Sequence, residues 1–173
     1  MENKYKFLVV FYFTLFIVTG CEVKPSAPSN AVEENFQAIF PQVAMGDSFQ
    51  LNVIDDETTP TPNSEIRLSI INKSTHFISF PPDSDVKLFV LNDSEWVEVR
   101  NKITYSGLLQ LYPQGTLLKD TRTSWVHPVL DDNMMDNEKK EILLRIVMVG
   151  EIMKEDVYTG ELVGAYVDVF LAP

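Results

Sequence analysis

Leu143-Leu144-Arg145-Ile146-Val147-Met148-Val149 is a stretch in which every residue except Arg145 is apolar. A continuous apolar run of this kind is typical of a strand that lies in the middle of a sheet and is covered on both faces. The sequence therefore predicts that residues 143–149 form a central strand of the fold.

Shorter segments on either side of this run alternate between apolar and polar residues, which indicates strands with one buried face. These segments are 49–53, 66–70, 86–91, 97–100 and 163–169. Turn-forming residues separate them, as in Asn72-Lys73-Ser74, Asn92-Asp93-Ser94 and Pro113-Gln114-Gly115. About eight short strands joined by turns predict an all-β fold, an antiparallel β-sandwich.

The residues before the first alternating strand differ in composition. Residues 22–30 contain several prolines and serines and have little to bury, so we expect a flexible tether there. Residues 31–40 fit two structures. Their apolar residues recur with helical spacing, and Asn30 with Glu33 would form a capping box, but part of the segment also alternates as a strand edge does. Pro41 ends either element.

The N-terminus has the pattern of a secretory signal peptide. Lys4 and Lys6 precede an apolar run from Phe7 to Val18. Cys21 follows directly after Val18-Thr19-Gly20, which resembles the lipobox of bacterial lipoproteins. In that family the cysteine is acylated and the peptide is cut just before it. The resemblance therefore implies lipidation of Cys21 and a signal helix that is removed.

The apolar run is too short for a transmembrane helix, which needs about 20 apolar residues. The alternatives to a lipid anchor are a cleaved secretory peptide without lipid and an uncleaved anchor. Cys21 is also the only cysteine of the chain. The sequence therefore excludes an intrachain disulfide, a cysteine-based zinc site and dithiol redox chemistry.

The charge balance limits the partners of the protein. The chain has 25 acidic and 14 basic residues and a formal net charge of −11 at pH 7. Such acidity argues against nucleic acid, which attracts basic surfaces, and favours solubility or the binding of cations and basic partners. The chain of 173 residues divides into a signal peptide (1–20), a lipidated cysteine and tether (21–46), and one folded domain (47–173).

Four segments follow one another in a recognisable order. Residues 66–74 form a strand that ends in an Asn-x-Ser turn, 92–99 a hairpin tip with Trp96, 111–115 a Pro-Gln-Gly turn, and 143–147 a late apolar strand. This order resembles the bacterial Ig-like domains of exported lipoproteins, without the cysteine pair of antibody-type domains. The resemblance covers residues 47–171. It implies an Ig-like β-sandwich that acts as a spacer or a binding unit and has no catalytic set.

The titratable residues form no recognisable catalytic or metal-binding motif. His76 lies beside a predicted turn and His127 precedes a proline, and no Gly-x-Ser-x-Gly elbow accompanies them. The acidic segments 55–57 and 131–136 offer oxygen ligands for calcium, but their spacing differs from that of an EF-hand. We therefore interpret them as solvated loops and expect no catalytic residue, no metal and no cofactor.

Aromatic residues offer a candidate binding surface for carbohydrate or peptide, although aromatic residues at strand spacing more often cover a core. The candidates are Trp96, Trp125, Tyr105, Tyr112 and Tyr166.

These patterns predict a lipid-anchored protein of the cell envelope, on the periplasmic or the cell-surface side, with a non-enzymatic interaction or structural role. Its partners would be the membrane, through the anchor, and a protein or glycan at the envelope. The alternatives are a small extracytoplasmic hydrolase and a carbohydrate-binding module. A further alternative is assembly through an edge strand that adds to a partner sheet.

Overall fold

The computed structural model describes residues 28–54, 59–62, 64–81, 86–104, 108–116, 120–131, 134–135 and 141–172. The predicted signal peptide, Cys21 and residues 22–27 of the predicted tether lie outside the described residues. Within the described ranges, no helix is long and apolar enough to cross a membrane.

Strands account for most of the described residues, which confirms the predicted all-β class. One helix precedes eleven strands in this part of the chain. The elements are α1 (Asn30–Gln37), β1 (Val43–Met45), β2 (Phe49–Val53), β3 (Ile66–Asn72), β4 (Phe77–Phe80), β5 (Lys87–Asn92), β6 (Glu95–Asn101), β7 (Leu109–Leu111), β8 (Thr121–Val126), β9 (Pro128–Val129), β10 (Ile142–Lys154) and β11 (Val157–Leu171).

The strands form a large sheet of eight and a small sheet of three. The large sheet has the order β1-β11-β10-β5-β6-β9, while β4 pairs with the C-terminal part of β10 and β7 pairs with β4. The small sheet has the order β2-β3-β8.

The pairing of β1 with β11 is parallel, whereas the other strand pairs of the described residues are antiparallel. The prediction of a purely antiparallel architecture is therefore wrong for the large sheet, which is mixed. The physical reason is that β1 and β11 lie at opposite ends of the described chain. No tight turn joins them, so nothing forces them to run in opposite directions.

The predicted central strand is confirmed and forms part of β10. Ile146 lies opposite Val167 of β11 on one side and opposite Leu88 of β5 on the other. Because side chains alternate along a strand, Ile146 and its alternate neighbours face one side of the sheet, and Arg145 and Val147 face the other. Both faces of this strand are buried, as its apolar run predicts.

The main hydrophobic core lies between the two sheets. Ile66, Leu68 and Ile70 of β3 are buried there, while the intervening Arg67 and Ser69 face outward. Each large apolar side chain that is removed from water contributes about 1.5–3 kcal/mol to stability. The facing residues of the large sheet include Ile78, Phe80, Leu88, Val90, Leu144, Ile146 and Met148.

The opposite face of the large sheet is covered by α1. Phe36 of this helix packs against Phe89 and Val147 in a second apolar cluster. The chain is thus arranged in three layers, which are α1, the large sheet and the small sheet. Residues 30–45, which the sequence assigned to the tether, contain the docked α1 and the edge strand β1.

The helical alternative for residues 31–40 is the one that the structure shows, over the range of α1. Its N-cap residue is Ser29, which makes no side-chain capping bond, and Asn30 is the first helical residue. The capping box of Asn30 and Glu33 is therefore not formed. The reason is that the Glu33 carboxylate binds a residue of the large sheet instead.

Two hairpins of the large sheet end in tight turns with left-handed backbone. Asp93 and Ser94 have φ angles of 47° and 69° between β5 and β6, which confirms the turn predicted at residues 92–94. Glu155 and Asp156 have φ angles of 51° and 64° between β10 and β11. Positive φ at both central positions is characteristic of type I′ turns, whose twist matches that of the strands.

Ile146→Ala should strongly destabilise the protein, because it removes a fully buried side chain from the most central strand. The expected loss in the free energy of unfolding is about 2–5 kcal/mol, measured by urea denaturation of the purified protein. Lys154→Ala, at an exposed position of the same strand, is the control and should change it by less than about 0.5 kcal/mol. Equal effects of the two changes would contradict a central position for β10.

Candidate functional site

Arg145, the one charged residue of the apolar run 143–149, is buried between the large sheet and α1. Arg145 has only 1% of its surface exposed. Its guanidinium donates hydrogen bonds to both carboxylate oxygens of Glu33 at 2.7 and 2.8 Å, and to both of Asp168 at 2.7 Å. Glu33 belongs to α1, and Asp168 lies directly opposite Arg145 on β11. One cation therefore joins the helix to the sheet through two bidentate pairs.

Three aromatic rings complete the surroundings of the Arg145 guanidinium. Its carbon lies 3.9 Å from the ring centre of Tyr166 and 4.2 Å from that of Trp96. The Phe36 ring of α1 is at 4.6 Å. A planar guanidinium stacks well on aromatic faces, and such contacts strengthen when water is excluded.

The pKa of Arg145 reflects these surroundings. Burial on its own lowers that pKa, but the hydrogen bonds to Asp168 and Glu33 and their negative charges outweigh burial, so the pKa lies above the usual arginine value. Arg145 is therefore charged at any physiological pH. Because its donors are engaged by carboxylates of the same chain, the arrangement serves to dock α1 rather than to bind an external anion.

A groove of about 250 Å³ opens beside this cluster, between α1 and the turn that joins β5 to β6. The buried Nε1 of Trp96 has no hydrogen-bond partner among the described residues. The groove is lined by apolar and polar side chains of α1 and of the start of β6. Its lining consists of Val32, Asn35, Phe36, Ile39, Ser94, Glu95 and Trp96.

A second candidate surface is the outer face of the small sheet, on the opposite side of the molecule from α1. Trp125 of β8 is 42% exposed there and lies directly opposite Arg67 of β3. The Arg67 guanidinium carbon is 5.5 Å from the centre of the Trp125 ring. Beside this pair, Ser69 of β3 lies opposite Thr123 of β8 and Asn52 of β2. The surface therefore combines an exposed indole, a cation and a row of polar side chains.

The two histidines of the sequence lie on different elements. His76 is exposed in the turn before β4, and its backbone oxygen accepts a hydrogen bond from the buried Asn72 side chain. His127 is half-buried between β8 and β9. Among the described residues, neither imidazole forms a hydrogen bond with a serine or a carboxylate, so the structure assembles no triad from them.

Most of the acidic residues considered for calcium lie outside the described residues. These are residues 55–57, Asp132, Asn133 and Asp136, while Asp131 is described and exposed. In the described part of the chain, no three His, Cys, Asp or Glu residues come together in a way that could hold a metal ion.

The five aromatic candidates do not share one face. Trp96 and Tyr166 lie on the α1 side, where they contact Arg145, and Trp125 lies on the outer face of the small sheet. Tyr112 follows β7 and packs edge to face against Phe77, with ring centres 5.0 Å apart. Tyr105 lies outside the described residues.

The sequence patterns predicted neither the Arg145 cluster nor the stacking of Arg67 on Trp125. One signal for the first was available, since Arg145 is the only charge within a buried run and a buried charge requires partners. The identity of those partners could not be predicted from the sequence, because Glu33 is 112 positions away in the chain.

No family model and no curated protein matches this chain. One solved structure, described as "AvmM Catalyzes Macrocyclization in Alchivemycin A Biosynthesis", is similar over 75% of this chain and 91% of its own, at 14% identity and a TM-score of 0.30. A likeness at this level carries no argument about the activity of this chain.

Arg145→Met should destabilise the protein, because it leaves the Glu33 and Asp168 carboxylates facing each other without a cation. Removing one partner of a buried ion pair costs about 3–5 kcal/mol, measured here as a loss in the free energy of unfolding in urea. Replacing all three residues, as Arg145→Met with Glu33→Gln and Asp168→Asn, should recover part of that loss.

The control for this experiment is Glu98→Gln, which removes an exposed ion pair with Lys87 at 2.8 Å. Its effect should be below about 1 kcal/mol. If Arg145→Met is as mild as Glu98→Gln, the double pairing does not dock α1.

Proposed function

We propose that the chain is a bacterial lipoprotein that is held at the cell envelope by a lipid on Cys21, and that its Ig-like β-sandwich has a non-enzymatic binding role. The observation that carries the anchor is the position of Cys21, directly after Val18-Thr19-Gly20 at the end of an apolar run. A secretory signal peptide has charged residues at its start, a short apolar core and small residues before the cleavage point.

The position of α1 limits how far the folded domain would lie from a lipid on Cys21. Residues 22–29 separate Cys21 from the start of α1, and a chain of that length spans roughly 28 Å at most when fully extended. The Arg145 cluster fixes α1 to the outer face of the large sheet. A lipid on Cys21 would therefore keep the start of α1, and the large sheet to which it is bound, near the membrane.

The binding role is supported by the chemistry of the side of the molecule opposite α1. The outer face of the small sheet carries Trp125, a large apolar ring that is 42% exposed in an otherwise polar setting. Exposed aromatic rings with polar neighbours are enriched at recognition surfaces, because they offer a large contact area at a low cost in side-chain entropy. The small-hydrolase alternative has no comparable support among the described residues.

Cys21→Ser should release the protein from membranes or leave it as an unprocessed precursor, because serine offers no thiol for acylation. The measurement is the fraction of the protein that sediments with membranes after a high-salt wash, together with its mass. Ser26→Ala, in the same segment, is the control and should remain membrane-bound and processed. Membrane retention and normal processing of Cys21→Ser would refute the lipid anchor.

A further inference from the structure

The outer face of the small sheet has an unusual charge for this protein. Among its outward-facing described residues, Arg67 is the only charged one, although the chain as a whole has a net charge of −11. The other side chains of this face are neutral. They are Gln50, Asn52, Ser69, Ile71, Thr121, Thr123 and Trp125. The strands of this face therefore carry a single positive charge, and the exposed Glu65 lies just before β3.

Unlike Arg145, Arg67 is paired with no carboxylate among the described residues. Its Nε is buried and makes no hydrogen bond, and no described residue forms an ion pair with its guanidinium. Its one described contact is the stacking on Trp125. The buried Nε is costly, since this donor has lost water without gaining a partner, whereas the terminal nitrogens are not among the buried unpaired atoms. A carboxylate supplied from outside would accept two parallel hydrogen bonds from those terminal nitrogens.

Trp125 and the polar row beside it narrow the class of molecule that would supply this carboxylate. The exposed indole offers a flat apolar surface, on which the C–H face of a sugar ring packs well. Asn52, Ser69 and Thr123 form a row across three strands, which spans about 10 Å and presents an amide and two hydroxyls. Amide and hydroxyl groups both donate and accept hydrogen bonds, as sugar hydroxyls require.

We infer that the outer face of the small sheet binds an acidic glycan, in which a uronic acid places its carboxylate on Arg67 while a sugar ring stacks on Trp125. This inference rests on the proposed binding role and names its ligand class. Charge complementarity selects the acidic glycan over a neutral one, because a carboxylate accepts stronger hydrogen bonds from the Arg67 guanidinium than a sugar hydroxyl does. The exposed ring and the hydroxyl row select a glycan over a simple organic anion.

The test uses the full chain, extracted from membranes in detergent, and an oligogalacturonate as the probe, with affinity measured by calorimetric titration. Arg67→Gln should weaken binding at least about tenfold, since hydrogen bonds to a charged group are at stake. Trp125→Ala should weaken it by a similar factor, and Arg67→Lys, which keeps the charge but loses the planar fork, should lie between. Arg100→Gln, an exposed cation on β6 of the large sheet, is the matched control and should bind like the wild type.

A second probe separates the contribution of the carboxylate charge to binding from that of the ring shape. The fully methyl-esterified oligomer has the same rings without the carboxylates and should bind at least about tenfold more weakly. Cooperative thermal unfolding of each variant shows that the chain is folded, so that weak binding is assigned to the site.

Three results would overturn the inference. One is binding of the esterified oligomer as tight as that of the acid. Another is equal weakening by Arg67→Gln and Arg100→Gln, which would indicate unspecific attraction of a polyanion. The third is Arg67-dependent binding of an acidic peptide with no binding of the oligogalacturonate, which would assign the face to a protein. None of these depends on the anchor, which Cys21→Ser tests separately.

Discussion

The burial of one positive charge is the constraint on which the outer half of this structure depends. A cation that leaves water must be paired, because an unpaired buried charge costs about 3–5 kcal/mol, a large part of the roughly 5–15 kcal/mol that stabilises a typical domain. Arg145 meets this requirement by using both carboxylate oxygens of Glu33 and of Asp168. Glu33 of α1 supplies one of these two carboxylates. The helix is therefore held by a requirement of the sheet as well as by its own apolar face.

Arg67 and Arg145 have different roles in the same domain. Arg145 is enclosed by rings and carboxylates of its own chain, and those carboxylates accept four hydrogen bonds from its guanidinium. Arg67 lies on a strand of the small sheet, stacks on one ring and lacks an acceptor. The two residues thus differ in how many of their donors have an acceptor within the chain. We assign Arg145 a structural role and Arg67 a role in recognition.

The strands of the core were predictable from sequence because their signal is local. The alternation at 49–53 and 66–70 and the apolar run at 143–149 each coincide with an observed strand. Three features were not predictable. They are the partners of Arg145, the parallel pairing of β1 with β11, and the position of Trp125 opposite Arg67. Each depends on residues far apart in the chain, and sequence pattern contains no information on which distant segments meet. The docking of residues 30–45 was not predictable for the same reason, because it depends on contacts of α1 with β5, β6 and β10 and on the pairing of β1 with β11.

The pairing of the N-terminal segment with the end of the chain has a consequence for the timing of folding. Among the described strands β1 pairs only with β11, and Glu33 of the helix before it binds Arg145 of β10. A growing chain cannot make these contacts until its last two strands have been synthesised. The N-terminal edge strand is thus among the last elements of the domain to acquire its partner.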